Sequence, residues 1–155
     1  MLYRKVKMLC VADAAYIAGL IDGEGTVTMT RRNRYRNRGL VVSISNNEIP
    51  ILKYVQAAIG AGKITGKRII SERHAPSYTY CITNRQALSL LEQVSPFLKS
   101  HKSVRSSLAL KEYLRLTPRN GRYTTEQSKE REIFVSNFFA IRASERVMAD
   151  DSVLQ

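Results

Sequence analysis

The segment DAAYIAGLIDGEG, from Asp13 to Gly25, constrains the fold most, because it carries a helix pattern that leads directly into a strand pattern. Its apolar residues recur at helical spacing, and a second stripe carries only short side chains. The apolar stripe is Tyr16, Ile17, Leu20 and Ile21, and the short stripe is Ala15, Ala18, Gly19 and Asp22. Asp13 is a suitable N-cap, since its carboxylate accepts hydrogen bonds from unpaired N–H groups and favours the helix dipole.

The short stripe predicts a contact between two helices. Small residues four positions apart allow two helix backbones to approach closely. The chain contains one such helix, so its natural partner is the same helix of a second copy. We therefore predict a homodimer with Ala15, Ala18, Gly19 and Asp22 in the interface.

The helix pattern ends in Asp22-Gly23-Glu24-Gly25. The glycines permit unusual backbone angles and close approach of other groups, and they leave the Glu24 carboxylate uncrowded. A carboxylate beside an exposed carbonyl suits Mg²⁺, which takes one or two carboxylates and leaves its other positions to water and phosphate oxygens. The same four residues are also typical of a helix C-cap followed by a turn, with Glu24 merely solvated.

Charge points to a polyanionic partner. The 155 residues include 25 Lys and Arg against 13 Asp and Glu, a net charge of +12. No acid occurs from Gly25 to Asn47, and residues 31–38 contain five arginines. Charges this dense repel one another unless an anion is present, which favours nucleic acid over a solvated basic surface or a basic structural protein.

Two hairpins are predicted, each with an outward polar face. Residues 26–30 and 40–45 alternate as strands around the arginine-rich tip, and residues 63–71 and 77–83 form the second pair. A two-stranded ribbon fits the major groove, where Arg can read guanine, although some tip arginines will contact phosphates only. The predicted DNA-binding residues are Thr26, Thr28, Thr30, Arg32, Arg34, Arg36, Val41, Ser43, Thr65, Lys67, Tyr78 and Tyr80.

The helices complete an α+β sandwich, with one four-stranded antiparallel sheet covered by helices on one face. Helices are predicted over residues 49–59, 86–94, 102–116 and from Thr124 to about Ile141. The N-cap of the first of these is Asn46 or Asn47, and Pro50 fits its first turn. We expect one domain spanning residues 1–155, with its core at about 12–116 and C-terminal helices at about 117–148.

Several classes of protein are excluded. Cys10 and Cys81 lack the neighbouring ligands of a zinc site, even with His74 and His101. No apolar run is long enough for a membrane span, and no signal-peptide pattern is present. We expect an intracellular protein, cytoplasmic or organellar, with neither a membrane nor a small-molecule substrate as partner.

Ile17-Ala18-Gly19-Leu20-Ile21-Asp22-Gly23-Glu24-Gly25 resembles the signature of the LAGLIDADG homing endonucleases along its whole length. Three further landmarks resemble that family: residues 45–52 its sheet-to-helix junction, residues 60–64 its next strand entry, and residues 96–99 the start of its following helix. The resemblance covers about residues 12–116.

The resemblance implies an αββαββα fold with a saddle-shaped sheet. It also implies a sequence-specific, intron-encoded endonuclease that hydrolyses both strands of DNA and leaves short 3′ overhangs. One signature helix per chain implies a homodimer acting on a long pseudo-palindromic site. The implied cofactor is Mg²⁺, with Mn²⁺ or Ca²⁺ able to replace it for binding.

Carried over residue by residue, the resemblance makes Glu24 the metal-binding acid and the Gly23 carbonyl a second metal ligand. Asn46 would organise the catalytic water network, and Asp22 would be structural at the helix base. A pocket lysine is expected after Pro96. Counting from Pro96 leads to His101 and matching the following leucines leads to Lys102, which we favour because its positive charge holds at any neutral pH.

A second function is compatible with the same residues. A non-cleaving RNA maturase, or a regulator that binds DNA or RNA with this fold, would have much the same sequence, so only Glu24 favours cleavage.

Overall fold

A computed structural model describes residues 4–66, 72–73 and 75–143, in which the order αββαββα is followed by two more helices. The helices are α1 (Val11–Glu24), α2 (Ile49–Ile59), α3 (Asn84–Val94), α4 (His101–Glu112) and α5 (Thr125–Ala140). The strands are β1 (Gly25–Thr30), β2 (Gly39–Asn46), β3 (Lys63–Gly66) and β4 (Tyr78–Thr83). A short 3₁₀ turn, Ser95–Phe97, precedes α4. The predicted fold class is confirmed.

The strands form one antiparallel sheet in the order β1-β2-β4-β3. Alternate residues of each central strand are buried, because successive side chains point to opposite faces. The buried sheet residues are Val27, Met29, Leu40, Val42, Ile44, Tyr80 and Ile82. They pack in one core with apolar residues of all five helices, so the helices cover one face and leave the other to solvent.

The start of α1 differs from the prediction. The helix begins at Val11, and the sulfur of Cys10 accepts a hydrogen bond from the Asp13 N–H at 3.5 Å. Asp13 therefore lies inside the first turn and is not the N-cap. Its carboxylate instead accepts a hydrogen bond from the Tyr54 hydroxyl on α2, which ties the two helices together.

Helix α2 has the predicted bounds, and Pro50 lies in its first turn. The residue at the N-cap position is Glu48, without a side-chain cap, so the predicted asparagine cap is wrong. The Asn46 side chain accepts from the Glu48 N–H at 2.8 Å and forms a turn ahead of the helix. The helix ends at Gly60, whose φ of 77° is the left-handed conformation that glycine adopts most readily.

The two strands of the first hairpin agree with the predicted ranges to within one residue at each end. β1 ends at Thr30 and β2 begins at Gly39, so residues 31–38, which we call the arginine loop, are not strand. Asn33 closes a turn there: its side chain accepts from the Tyr35 N–H at 3.0 Å and its carbonyl from the Arg36 N–H at 3.2 Å. The asparagine offers the backbone a local alternative to strand pairing, so Arg32 and Arg34 lie in the loop and outside the paired strands.

The second hairpin and the C-terminal helix follow the expected pattern. β3 pairs with β4 from Lys63 opposite Cys81 to Gly66 opposite Tyr78, and the rest of the first predicted strand, residues 67–71, lies outside the described residues. α5 opens with a capping box, in which the Thr124 hydroxyl and the Gln127 side chain each bond the other residue's N–H. Among the described residues, no helix has both the length and the apolar character that crossing a bilayer requires.

Gly25 joins α1 to the sheet at the tightest backbone contact of this junction. A Cβ built on Gly25 would lie 2.7 Å from the Ile21 Cα and 2.7 Å from the Ser43 carbonyl oxygen. Both are backbone atoms, which have little freedom to move away. A Cβ on Gly23 would meet no atom within 4 Å. The signature glycine after Glu24 is thus required by packing.

We expect Gly25→Ala to lower the free energy of unfolding by about 1–3 kcal/mol, because the added methyl forces α1 and β2 apart. Gly23→Ala is the matched control and should change stability by less than about 1 kcal/mol, towards stabilisation, since alanine favours the helix. Urea unfolding measures both. Equal stabilities for the two variants would contradict the packing argument.

Candidate functional site

The last turn of α1 carries the acidic signature residues to the margin of the sheet. Gly23 and Glu24 are both exposed, and β1 begins at the next residue. Gly25 pairs with Ile44, and Asn46 is two residues farther along β2, so Asn46 lies at the same end of the sheet as Glu24. The junction therefore presents an exposed carboxylate beside the open sheet face.

Asp22 connects the end of α1 to the start of α4. Its carboxylate accepts hydrogen bonds from the N–H groups of Lys99 and Ser100, at 2.8 and 3.2 Å, and from the Ser100 hydroxyl at 2.6 Å. Burial opposes ionisation of Asp22, but these hydrogen bonds and the nearby charge of Lys102 outweigh it and lower the pKa of Asp22. The carboxylate acts within its own chain, in keeping with a structural role at the helix base.

Lys102, in the first turn of α4, connects α4 back to the end of α1. Its ammonium group donates to the carbonyls of Ile21 and Asp22, each at 2.8 Å. The last carbonyls of a helix lack partners within the helix and carry partial negative charge, so a cation there is favourable. The positive group thus lies at the turn that carries Glu24.

His101 and Lys102 occupy the first turn of α4, and their surroundings differ. Burial, together with the charges of Arg105 and Lys102, lowers the pKa of His101, which keeps the imidazole neutral at pH 7. Burial also lowers the pKa of Lys102, but the Asp22 carboxylate opposes that effect. Lys102 also has the observed contact with the end of α1, so the structure favours it over His101 as the charged group of this site.

The stripe predicted for a dimer interface is only partly accessible. Ala15 and Gly19 are exposed, but Ala18 has no exposed surface because it packs in the core of its own chain. Ala18 is therefore a correction to the predicted interface. Val11, which is 73% exposed, and Ala12 extend the exposed stripe towards the start of α1.

The solvent face of β1 and β2 carries the residues predicted for it. Thr26, Thr28 and Thr30 alternate with buried neighbours, and Val41 and Ser43 lie directly opposite Thr28 and Thr26. The Thr26 and Ser43 hydroxyls hydrogen bond at 2.7 Å. This part of the open face therefore presents short polar side chains.

The tyrosines of β4 lie on the other face, so Tyr78 and Tyr80 are corrections. Tyr80 is fully buried, donates from its hydroxyl to the Ala61 carbonyl at 2.6 Å, and has its pKa raised by burial. Tyr78 is half-buried and packs against the core. The residue opposite Thr65 across the strand pair is Thr79, which also hydrogen bonds the Ser45 hydroxyl at 2.9 Å.

The open face therefore includes residues that were not predicted. Those of the second hairpin and of the end of β2 are Lys63, Thr79, Cys81, Thr83 and Ser45, as cross-strand pairing shows. The alternation of side chains between the two faces of a strand would have given the correct face for these tyrosines. Ile82 is the most apolar residue of β4 and shares its face with Tyr80 and Tyr78, which assigns all three to the core.

The arginine loop lies beyond the sheet with most of its cations in solvent. Arg32, Arg34 and Arg36 are exposed, and the Arg34 guanidinium stacks over the Tyr35 ring at 4.7 Å. Arg38 differs, since it is half-buried and donates to the Met29 carbonyl at 3.3 Å. Lys67, also predicted to bind DNA, lies outside the described residues.

Solved structures resemble this arrangement over most of the chain. The homing endonuclease I-CvuI, in complex with its target and in the presence of calcium, has a TM-score of 0.69 at 16% identity, with 88% of this chain and 85% of I-CvuI covered. The archaeal intron-encoded homing endonuclease I-Vdi141I, complexed with DNA, has a TM-score of 0.65 at 18% identity, with 87% and 86% covered. The LAGLIDADG meganuclease I-AabMI, bound to uncleaved DNA, has a TM-score of 0.58 at 19% identity, with 79% of this chain and 43% of I-AabMI covered.

The chain has the LAGLIDADG homing-endonuclease fold. This fold confirms the resemblance seen in residues 17–25, since the signature segment forms the helix that leads into the open sheet. No family model matches the sequence, and no curated protein is significantly similar to it. The likeness to these solved structures is thus one of fold, at identities below 20%.

In this homing-endonuclease fold we expect Asp22→Asn to lower the free energy of unfolding by about 1–3 kcal/mol at pH 7, because an amide accepts fewer of the hydrogen bonds from Lys99 and Ser100. The contribution of a carboxylate with a lowered pKa is present above its unfolded pKa of about 3.9 and is lost as the pH falls through its folded pKa. The difference from wild type should therefore shrink below about pH 4.

Urea unfolding from pH 7 to pH 3 measures this difference. Thr124→Ala removes the cap of α5 without removing a charge, so it is the control and should cost about 1 kcal/mol at every pH. A loss for Asp22→Asn that stays constant down to pH 3 would contradict the role given to the Asp22 carboxylate.

Proposed function

We propose that the protein is a sequence-specific homing endonuclease that cuts both strands of DNA as a homodimer. The observation that carries this proposal is the placement of exposed Glu24 at the end of α1, with the Lys102 ammonium held one turn away on the carbonyls of Ile21 and Asp22. An acid and a cation at the margin of a basic, open sheet suit hydrolysis of a phosphodiester.

The residues at the α1–β1 junction fit a divalent metal ion. Within the described residues there is no cluster of three or more His, Cys, Asp or Glu side chains. Mg²⁺ needs no such cluster, because it takes one or two carboxylates and keeps water and phosphate oxygens as its other ligands. Glu24 and the carbonyl of Gly23 would hold it, and Mn²⁺ or Ca²⁺ would replace it for binding. When bound, the ion would lower the pKa of the attacking water and neutralise charge on the leaving oxygen.

The other residues position the phosphate and the water. Lys102 would place a positive charge against the phosphate oxygens as negative charge develops on them. Asn46 would orient the attacking water. Asp22 and Ser100 hold the start of α4 against the end of α1, so Lys102 and Glu24 keep a fixed relation.

The open face of the sheet would follow the DNA. Hydroxyl side chains along the strands would read base edges, and the exposed arginines of the loop would hold phosphates or read guanine. Two copies joined through Ala15 and Gly19 would bring two Glu24 residues to the centre, one for each scissile phosphate. The resemblance to the LAGLIDADG homing endonucleases further implies a long pseudo-palindromic site and short 3′ overhangs. The implied setting is an intron-encoded protein acting inside the cell.

Glu24→Gln should abolish cleavage, at least about a thousandfold, because the neutral amide is a poor ligand for Mg²⁺. DNA affinity should stay within about threefold of wild type, since the binding face is unchanged. A duplex selected by cleavage from a random library serves as substrate, with cleavage measured in single turnover and affinity measured in Ca²⁺. Wild-type cleavage by Glu24→Gln would exclude the assigned role.

Two further variants test the role assigned to Lys102. Lys102→Ala should slow cleavage strongly at unchanged affinity, whereas His101→Ala, one position earlier on the same helix, is the matched control and should have a small effect. If wild-type protein binds DNA or RNA and cuts no duplex in the library, a non-cleaving maturase or regulator replaces the endonuclease.

The homodimer is tested by Gly19→Leu. In the isolated chain the position is open, with no atom within 4 Å of an added Cβ, and leucine favours a helix, so a monomer would be stabilised by about 0.5–1 kcal/mol. In a dimer the larger side chain would block the approach of the two helices. We expect Gly19→Leu to sediment as a monomer and to lose cleavage. An unchanged mass and an unchanged cleavage rate would contradict this interface.

A further inference from the structure

Arg131 on α5 is the one charged side chain that the described part of the chain buries, with 4% of its surface exposed. A buried charge is strongly unfavourable unless it is paired or fully hydrogen bonded. The ion pairs of the described residues join Arg115 to Glu112 and to Glu130, and none includes Arg131. Oxygen acceptors of the protein therefore hold its two terminal nitrogens, while its Nε is buried without a hydrogen-bond partner among the described residues.

The guanidinium of Arg131 bridges two distant segments. One terminal nitrogen donates to the Leu116 carbonyl and to the Thr117 hydroxyl, the latter at 2.7 Å, after the end of α4. The other terminal nitrogen donates to the carbonyl of Arg38, 93 residues away in sequence. The rings of Tyr113 and Tyr123 lie 5.7 and 5.6 Å from its central carbon. The planar fork makes both connections at once, which an ammonium group cannot do with the same geometry.

Arg38 is the last residue of the arginine loop, and its side chain closes the base of that loop. It donates to the Met29 carbonyl in β1 and stacks over the Phe139 ring of α5 at 5.0 Å. The adjoining strand is held as well, because the Leu40 N–H donates to the Tyr113 hydroxyl at 3.3 Å. Residues of α5, and Tyr113 just after α4, therefore hold the point at which the arginine loop joins the sheet.

This anchoring has a consequence for the exposed cations of the loop. Arg32, Arg34 and Arg36 repel one another, and a loop with a free base would spread over many conformations. A binding surface that is fixed in advance loses less conformational entropy when it meets its target. Fixing the point where the loop joins the sheet strengthens contacts that need defined spacing, such as hydrogen bonds to the edges of DNA bases. It matters less for contacts that need only positive charge.

We propose that Arg131 is a positioning residue for DNA recognition, fixing the base of the arginine loop through the carbonyl of Arg38. The proposal rests on the DNA binding proposed above. It assigns α5, which lies outside the signature segments, a role in the sequence specificity of DNA binding.

The test compares Arg131→Lys with wild type on two duplexes: the one selected by cleavage from a random library, and a scrambled duplex of the same length. Lysine keeps the positive charge but lacks the planar guanidinium that donates hydrogen bonds in two directions. We expect affinity for the selected duplex to fall by about tenfold or more. Affinity for the scrambled duplex should stay within about twofold, because the number of phosphate contacts is unchanged. Binding is titrated in Ca²⁺, well below the melting temperature of each variant.

Arg115→Lys is the matched control, since Arg115 lies on the neighbouring surface in exposed ion pairs with Glu112 and Glu130. It should leave both affinities unchanged. A purely structural role for Arg131 would lower the folded fraction and weaken both duplexes equally, so an equal loss would overturn the proposal. Wild-type affinity of Arg131→Lys for the selected duplex would also overturn it.

A second pair of variants tests the route through the loop. With Arg32, Arg34 and Arg36 replaced by Gln, Arg131→Lys should cause no further loss on the selected duplex, whereas a full additional loss would overturn the proposal. If Arg131→Lys does not fold, Phe139→Leu decides, because it removes the ring that stacks on Arg38 at the base of the loop, together with the ring contacts to Arg105 and Phe138. A loss confined to the selected duplex supports the proposal, and unchanged affinity overturns it. Failure of wild-type protein to prefer any duplex would instead reject the proposed function.

Discussion

The structure depends on two helix ends that complete each other. The carboxylate of Asp22, in the last turn of α1, accepts the unpaired N–H groups at the start of α4, and the ammonium of Lys102, in the first turn of α4, covers the last carbonyls of α1. Polar groups without partners at a helix end are unfavourable when buried, and these bonds add to the Gly25 N–H that the Ile21 carbonyl already accepts. The same contacts place Lys102 at the turn that carries Glu24, so the interaction that joins the helices also shapes the candidate site.

The positive charge of the chain serves two purposes. Arg32, Arg34 and Arg36 stand in solvent, where an anion would meet them. Arg105 and Arg131 face inward: the first donates to the carbonyls of Val27 and Ile141 at 2.9 Å, and the second joins Leu116 to Arg38. Arginine suits this inner role because its planar group donates in several directions and stacks on aromatic rings. The net charge of +12 therefore overstates the positive charge that stands in solvent.

Local patterns predicted much of the fold. Helix α2 has the expected bounds, since its apolar period, Pro50 and Gly60 all act within a few residues. The start of α5 near Thr124 and the outward threonines of β1 were predicted for the same reason. Some errors were local, as with the N-caps of α1 and α2, and others arose where the deciding partner is distant in sequence. Tyr80 was assigned to the open face, although its burial follows from pairing with Ile44 and from the acceptor at Ala61. Ala18 was assigned to a dimer interface, although the chain's own core covers it.

The sequence by itself determined the order of helices and strands and the likeness of residues 17–25 to a known signature, because short-range periodicity and caps decide both. It also identified Glu24 as the exposed acid. Only the tertiary structure decided that Lys102 hydrogen bonds to the end of α1 and that Arg131 holds the base of the arginine loop. These contacts join residues 81 and 93 positions apart in sequence, and local patterns carry no record of them.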